Sequence, residues 1–145
     1  MERTVSQDYI RGEIMPWARG VAVRDARGFV FLSGTEGTDP DTGEIVEGAY
    51  EQTRLALKKI KHNLEELGTS LENICHIWYY VAGPDFPEGV RGHPTYVERT
   101  RALKEFWEEH CPHFLIKPPA ATLLGVVALG RKERLIEILV IAAIP

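Results

Sequence analysis

One carboxylate stands inside an otherwise apolar run of the 145-residue sequence. The run is Leu135–Ile144, and its acidic residue is Glu137. A carboxylate among apolar neighbours is rarely buried unless it is paired with a cation or has a function. Such a group can act as a general acid or base, so the pattern predicts a catalytic role for Glu137. A salt bridge between subunits is the alternative interpretation.

The histidines and cysteines do not indicate a metal site. None of the histidines forms a His-x-x-x-His pair on a predicted helix; they are His62, His76, His93, His110 and His113. The two cysteines, Cys75 and Cys111, lie in different predicted elements without metal-binding spacing. We therefore expect no metal, and we interpret the cysteines as free buried thiols in a reducing cytosol, with a disulfide as the alternative.

Glu137 belongs to the second of two neighbouring apolar segments. The first, Lys117–Leu129, opens with Pro118 and Pro119, which are excluded from helix interiors and central strands and so mark the start of a strand. The short charged loop Gly130–Arg134 separates it from Leu135–Ile144. Two such runs joined by a short polar loop predict a closing β-hairpin.

The rest of the chain alternates between strand and helix patterns. Apolar residues at spacings of three and four predict the helices, and β-branched or aromatic runs predict the strands. In chain order, the elements are a surface lead-in at 1–16, an opening hairpin of Gly20–Val23 with Phe29–Gly34, a helix Tyr50–Leu67 stopped by Gly68, a strand Ile74–Val81, a long loop Gly83–Pro94 and a helix Thr95–His110.

This β-β-α-β-α-β-β order predicts an α+β fold in one domain over residues 1–145, with a single-layer sheet and both helices on one face. The strands carry large apolar residues at odd and even positions alike, and these positions point to opposite faces of the sheet. Phe29 and Phe31, for example, alternate with Val30 and Leu32. The sheet face without helices would then expose apolar side chains. We therefore expect a homo-oligomer whose ligand sites lie in clefts between subunits.

Composition argues against two classes of partner. The net charge is −4, with 44% hydrophobic and 26% charged residues, which argues against a general nucleic-acid binder. No apolar run approaches the ~18 residues of a membrane span, and residues 1–5 lack the core of a signal peptide. The sequence thus predicts a cytoplasmic protein that binds neither nucleic acid nor membrane.

Several motifs together resemble the Rid/YjgF family from about Met15 to Ala143. They are Pro16–Val21, Phe31–Gly34, Asp39–Val46, Gln52, Pro119–Thr122 and Ile136–Ile138. The resemblance implies a chorismate-mutase-like fold and a homotrimer with three clefts between neighbours. It also implies hydrolysis of reactive enamines and imines to keto acids and ammonia, without a metal or organic cofactor.

The chain departs from this pattern at one position. Imine-hydrolysing members carry an arginine that clamps the substrate carboxylate, and the alignment of the Pro-Ala pair places Ala121 there. Lys117 is the nearest cation in sequence, roughly 12–13 Å of extended chain away. It could reach the same cleft only from another direction. Arg19, Arg91 and Arg101 are further candidates.

The resemblance also implies roles for individual residues, each with an ordinary structural alternative. Glu137 would position the hydrolytic water. Trp17 would stack at the cleft edge or serve as a packing anchor. Ser33 and Gly34 would border the ligand or form an ordinary strand-to-loop junction. Thr122 would face the ligand beside Ala121 or be an ordinary strand residue.

Three functions follow as hypotheses. The first is a Rid-like deaminase or hydrolase of a small imine or enamine, with substrate choice altered by Ala121. The second is a non-catalytic trimer that binds a small metabolite in its clefts. The third is an endoribonuclease, which the acidic composition disfavours.

Overall fold

Two α-helices pack on one face of a mixed β-sheet, which confirms the predicted α+β class. The computed structural model describes all 145 residues. Its elements are β1 (Glu2–Ile10), β2 (Glu13–Arg24), β3 (Gly28–Phe31), β4 (Thr35–Glu36), α1 (Ala49–Glu66), β5 (Ile74–Ala82), α2 (Pro94–His110), β6 (Ala120–Val126) and β7 (Ile136–Ile144). No helix is long and apolar enough to cross a membrane.

The predicted closing hairpin is wrong, because β5 lies between β6 and β7. The strand order is β1-β2-β6-β5-β7-β3, with the short β4 also paired to β7. Strand β6 runs parallel to β5, whereas β7 runs antiparallel to it. The loop after β6 therefore crosses over β5 instead of making a tight turn. Both predicted apolar runs are strands, but they share β5 as a common neighbour.

The opening hairpin also consists of other residues than predicted. Residues 1–16 are not a surface lead-in, since β1 pairs antiparallel with β2 across a turn at Arg11 and Gly12. Pro16 lies where the β1–β2 register shifts, at a bulge that tolerates a missing N–H. The strand that follows, β3, pairs with β7 and not with β2. Strand β1 is largely solvent-facing, so its sequence lacks the apolar alternation that identifies a strand.

Both helices agree with their predicted patterns. On α1, Thr53, Leu57, Ile60 and Leu64 are fully buried, as the spacing predicts, whereas Leu67 lies beyond the helix end and is exposed. Helix α2 begins with a proline at its first position, where the missing N–H costs no helical hydrogen bond. The imidazole Nδ1 of His93 accepts a hydrogen bond from the Thr95 backbone N–H at 3.2 Å and caps the helix. His93 thus has a structural role.

The pleat of the central strands separates core residues from uncovered ones. On β7, Ile136, Ile138 and Val140 are fully buried against the helices, whereas Glu137 and the other intervening side chains are only half-buried. We call the side opposite the helices the open face. Phe31 of β3, 72% exposed, lies on it. The strands therefore present apolar residues on both faces of the sheet, as predicted. Those on the open face are exposed to solvent in the isolated chain.

One buried amide connects α1 to the start of β7. The Gln52 side chain, 1% exposed, donates from Nε2 to the carbonyl oxygens of Val46 (3.0 Å) and Glu133 (2.9 Å). Its Oε1 accepts from the Leu135 backbone N–H at 2.8 Å. Gln52 thus satisfies three backbone groups of two loops. The loop that enters β7, and with it the position of Glu137, depends on this amide.

Gln52→Leu should lower the free energy of unfolding by about 3 kcal/mol, because it leaves buried backbone groups without partners at about 1–3 kcal/mol each. Urea denaturation of the two proteins measures the difference. Lys58→Leu is the matched control on the exposed side of the same helix and should change stability by about 0.5 kcal/mol or less. Equal losses in the two variants would contradict the role of Gln52.

Candidate functional site

A cavity of about 420 Å³ lies between α2 and strands β2, β5 and β6. We call it the α2 cavity. Nine of its 14 lining residues are hydrophobic. The lining residues include Trp17, Tyr79, Arg91, Tyr96, Arg99, Ala121 and Leu123. An apolar concavity with a few polar groups is the usual form of a small-molecule site.

The pleat of β6 decides which of its side chains enter the α2 cavity. Ala121 and Leu123 point toward the helices and line the cavity. Leu123 lies in register with Tyr79 of β5, which also lines it. Thr122 points to the open face. Ala121 and Thr122 are adjacent in sequence, so the pleat places them on opposite sides of the sheet.

Arg99 of α2 is the cation that sequence analysis missed. It is 6% exposed, and its guanidinium lies 4.5 Å from the ring centroid of Tyr79 and 4.7 Å from that of Tyr96. Its Nε is buried without a hydrogen-bond partner, and it forms no salt bridge. The sequence does indicate that Arg99 faces inward. It follows Tyr96 by three residues and precedes Leu103 by four, which places it on the inward stripe of the helix.

Tyr79 remains a neutral phenol beside this cation. Burial raises the pKa of its hydroxyl well above the usual value, and the charge of Arg99 opposes that shift only in part. A neutral ring presents a negative face to the guanidinium, which is a favourable cation–π arrangement. Tyr79 and Tyr96 therefore hold Arg99 without neutralising it.

Trp17 and Arg91 complete another part of the cavity wall. The Trp17 indole Nε1 donates to Asp8 Oδ2 at 2.7 Å, and the Arg91 guanidinium lies 5.1 Å from the centroid of the Trp17 indole ring system. Arg91 comes from the long loop, which packs on the end of β6 at Gly125. A methyl group on Gly125 would come within 2.7 Å of Val90 Cγ2, so only glycine allows this close approach. The loop whose role the sequence left open thus supplies a cation to the cavity.

Glu137 lies on the open face, away from the α2 cavity. Its carboxylate rests against the backbone of Gly34, where an added Cβ would lie 2.7 Å from Glu137 Oε2. The side chain is half-buried and forms no salt bridge within the chain. Directly opposite on β5 stands Tyr80. The carboxylate therefore has no cation of its own chain to neutralise it.

Thr122 also lies on the open face, next to an imidazole. His76 Nε2 and Thr122 Oγ1 are 3.0 Å apart, and the His76 ring stacks on Trp78 at 3.9 Å. Burial lowers the pKa of His76, which favours the neutral ring at neutral pH. The hydroxyl of Thr122 is thus engaged by its own chain.

The predicted site residues consequently fall into separate groups. Trp17 and Ala121 line the α2 cavity, whereas Gly34, Thr122 and Glu137 lie on the open face. Ser33 is exposed just before Gly34, and its carbonyl accepts a hydrogen bond from Thr35 Oγ1 at 3.1 Å. Lys117 is exposed and does not line the cavity. One chain alone does not bring Glu137 to Ala121.

The remaining candidate cations, Arg19 and Arg101, bond to neighbouring side chains, and the two thiols are free. Arg19 bonds Ser6, and Arg101 pairs with Glu98 at 2.7 Å, both on the surface. The cysteines are free, so the disulfide alternative is wrong. Burial raises the pKa of both thiols, that of Cys111 to about 11, which disfavours reactive thiolates. No three His, Cys, Asp or Glu side chains gather closely enough to hold a metal ion.

Known proteins resemble this chain over most of its length. The family profile described as Endoribonuclease L-PSP matches residues 12–144. A RutC family protein of Aquifex aeolicus (strain VF5) is 31% identical over 108 residues, which is 74% of each chain. TdcF of Escherichia coli (strain K12), provisionally named a reactive intermediate deaminase, is 26% identical over 110 residues, which is 76% of each chain.

Solved structures share the fold. YyfB from Yersinia pestis, described as a Rid family protein of unknown function, superposes with a TM-score of 0.74 at 22% identity over 99% of both chains. E. coli TdcF with bound serine gives a TM-score of 0.65 at 25% identity, covering 97% of this chain and 98% of TdcF. The match over residues 12–144 and the Aquifex relative together show that the chain belongs to the Endoribonuclease L-PSP family, the Rid/YjgF family that its motifs resemble.

Proposed function

We propose that the chain is a deaminase that hydrolyses a small reactive imine or enamine without a cofactor, in a cleft completed by a second copy. The observation that carries this proposal is the Glu137 carboxylate, which rests against Gly34 on the open face without a cationic partner. The family relationship to TdcF supports the reaction type. The serine bound in the TdcF structure supports a small amino-acid-like ligand.

A second copy is needed because the two groups of site residues face opposite sides of the sheet. The open face presents Phe29 (51% exposed) and Phe31 beside the strand that carries Glu137. Exposed apolar side chains on a sheet face favour association. We assign the assembly as a homotrimer, in which Glu137 of one copy approaches the α2 cavity of the next. The two free thiols fit the reducing cytoplasm predicted from the sequence.

In this site, Glu137 would act as the general base and then the general acid. Its carboxylate accepts a proton from water while the water oxygen bonds to the imine carbon. The protonated carboxyl returns that proton to the imine nitrogen, which gives a carbinolamine. The carboxylate then carries the hydroxyl proton to the amine nitrogen as the C=O bond forms and the C–N bond breaks, so that ammonia and a carbonyl product leave. An enamine first gains a proton at carbon and loses one from nitrogen to become the imine. One positioned water and one acid–base group suffice for this sequence.

A binding protein without turnover is the second candidate, and Ala121 favours it. The family's carboxylate clamp is absent at that position, so a ligand could be held without the alignment that hydrolysis needs. Ligand-induced thermal stabilisation without product release would identify this function. Ribonuclease action, which the family's description names, has less support because the net charge is −4.

Glu137→Gln should lower the rate of ammonia release from enzymatically generated 2-aminoacrylate by at least about 100-fold, since it removes the acid–base group. The thermal midpoint should stay close to that of the unmodified protein, because the Glu137 carboxylate makes no salt bridge in the chain. Coupled detection of ammonia measures the rate. Hydrolysis at the normal rate by the variant would exclude Glu137 as the acid–base group.

Gly34→Ala should reduce the same activity at least about tenfold with little loss of stability. The new methyl group would occupy space 2.7 Å from Glu137 Oε2, and the flexible carboxylate would move away from its position. Gly20→Ala is the matched control, because nothing lies within 4 Å of its Cβ position. If both variants are fully active, the contact between Gly34 and Glu137 does not position the carboxylate for catalysis.

Phe31→Asp should convert the trimer to monomers, because it places a charge in an apolar contact surface. Light scattering after gel filtration gives the mass of each species. Leu67→Asp is the control, since Leu67 is 54% exposed at the end of α1. A monomeric unmodified protein at micromolar concentration would refute the proposed assembly.

A further inference from the structure

The α2 cavity contains a buried cation that nothing in the chain neutralises. Arg99 forms no salt bridge, and its Nε is buried without a partner. Burial of an unpaired charge is unfavourable, so proteins rarely retain one without a reason. The cation–π contacts with Tyr79 and Tyr96 offset only a part of this cost. An anion beside Arg99 would offset the rest.

The charge of the cavity wall supports the same conclusion. The charged residues that line it are Arg91, Arg99 and Lys104, and no aspartate or glutamate lines it. This cationic lining occurs in a chain whose net charge is −4, so it does not reflect the general composition. The local potential therefore favours anions, and the mostly hydrophobic remainder of the wall would strengthen a contact with one.

We propose that Arg99 binds the carboxylate of the ligand and that the α2 cavity holds its apolar body. The clamp absent from Ala121 on β6 would thus be supplied from α2, since both residues line one cavity. A planar guanidinium held against two aromatic rings suits a planar monoanion. The wall beyond it, with Leu123 and Trp107 among nine hydrophobic residues, suits a ligand with a hydrophobic side chain.

The expected ligand class is therefore a 2-oxo or 2-imino carboxylate with an aromatic or branched aliphatic side chain. A phosphate dianion fits less well, because it requires more donors than one buried guanidinium presents. The proposal rests on the proposed function in one respect only: it assumes that the substrate binds in the α2 cavity, at the cleft between two copies. Binding of an unreactive carboxylate does not require hydrolysis and can be tested separately.

The test compares phenylpyruvate with its uncharged methyl ester by isothermal titration calorimetry on the unmodified protein. Phenylpyruvate should bind about 10- to 100-fold more tightly, as expected for a hydrogen-bonded charge pair. Equal affinities, or more effective binding by inorganic phosphate, would overturn the proposal. This comparison needs no variant and therefore does not depend on whether a substituted protein folds.

Arg99→Gln should abolish the difference between acid and ester, whereas Arg101→Gln should preserve it. Arg101 is the matched control because it is exposed and paired with Glu98 on the same helix. A merely structural role of Arg99 would weaken both ligands equally, which would refute the assignment. Preserved acid selectivity in a folded Arg99→Gln protein would refute it as well.

Turnover measurements separate this proposal from the proposed function. If phenylpyruvate binding depends on Arg99 but no imine is hydrolysed, the deaminase assignment fails and the carboxylate site stands. If imines of amino acids are hydrolysed with an unchanged KM in Arg99→Gln, the carboxylate site fails and the deaminase assignment stands. Glu137→Gln should retain phenylpyruvate binding while losing turnover.

Discussion

The pleat of the β-sheet is the constraint on which the whole arrangement depends. Successive side chains of a strand point to opposite faces, so Ile136 and Glu137 cannot both face the helices. The same rule places Ala121 in the α2 cavity and Thr122 beside His76 on the open face. The sheet therefore carries the hydrophobic core on one side and candidate site residues on both sides. Any chemistry that uses both sets requires more than one chain.

Two polar side chains are buried away from water, and they differ in how far their hydrogen-bonding groups are satisfied. Gln52 bonds three backbone groups and serves the fold. Arg99 is also buried, yet its Nε has no partner and its contacts are the faces of two tyrosines. A satisfied group stabilises the structure, whereas an unsatisfied buried group costs free energy, and the proposed carboxylate ligand of Arg99 would reduce that cost. The difference in hydrogen bonding is what distinguishes the two roles.

Local patterns in the sequence predicted both helices and the apolar strands β3, β5, β6 and β7, because spacing and residue type determine those directly, whereas β1 was missed. The stripe of Leu57, Ile60 and Leu64 is an example. Strand neighbours were not predictable in this way, since the parallel pairing of β5 with β6 joins residues far apart in sequence. Arg99 was missed because arginines on helices are usually solvated. Its significance appears only when Tyr79 and Ala121 are brought beside it.

The insertion of β5 between β6 and β7 also has a consequence for folding kinetics. The last strand in sequence occupies an interior position and is the sheet partner of β3, β4 and β5. Until β7 docks, β3 and β4 have no strand to pair with. Formation of the sheet therefore depends on contacts of long sequence separation, which slow folding and leave strand edges exposed meanwhile. During synthesis, the edge of β5 that receives β7 stays open until the final strand has emerged.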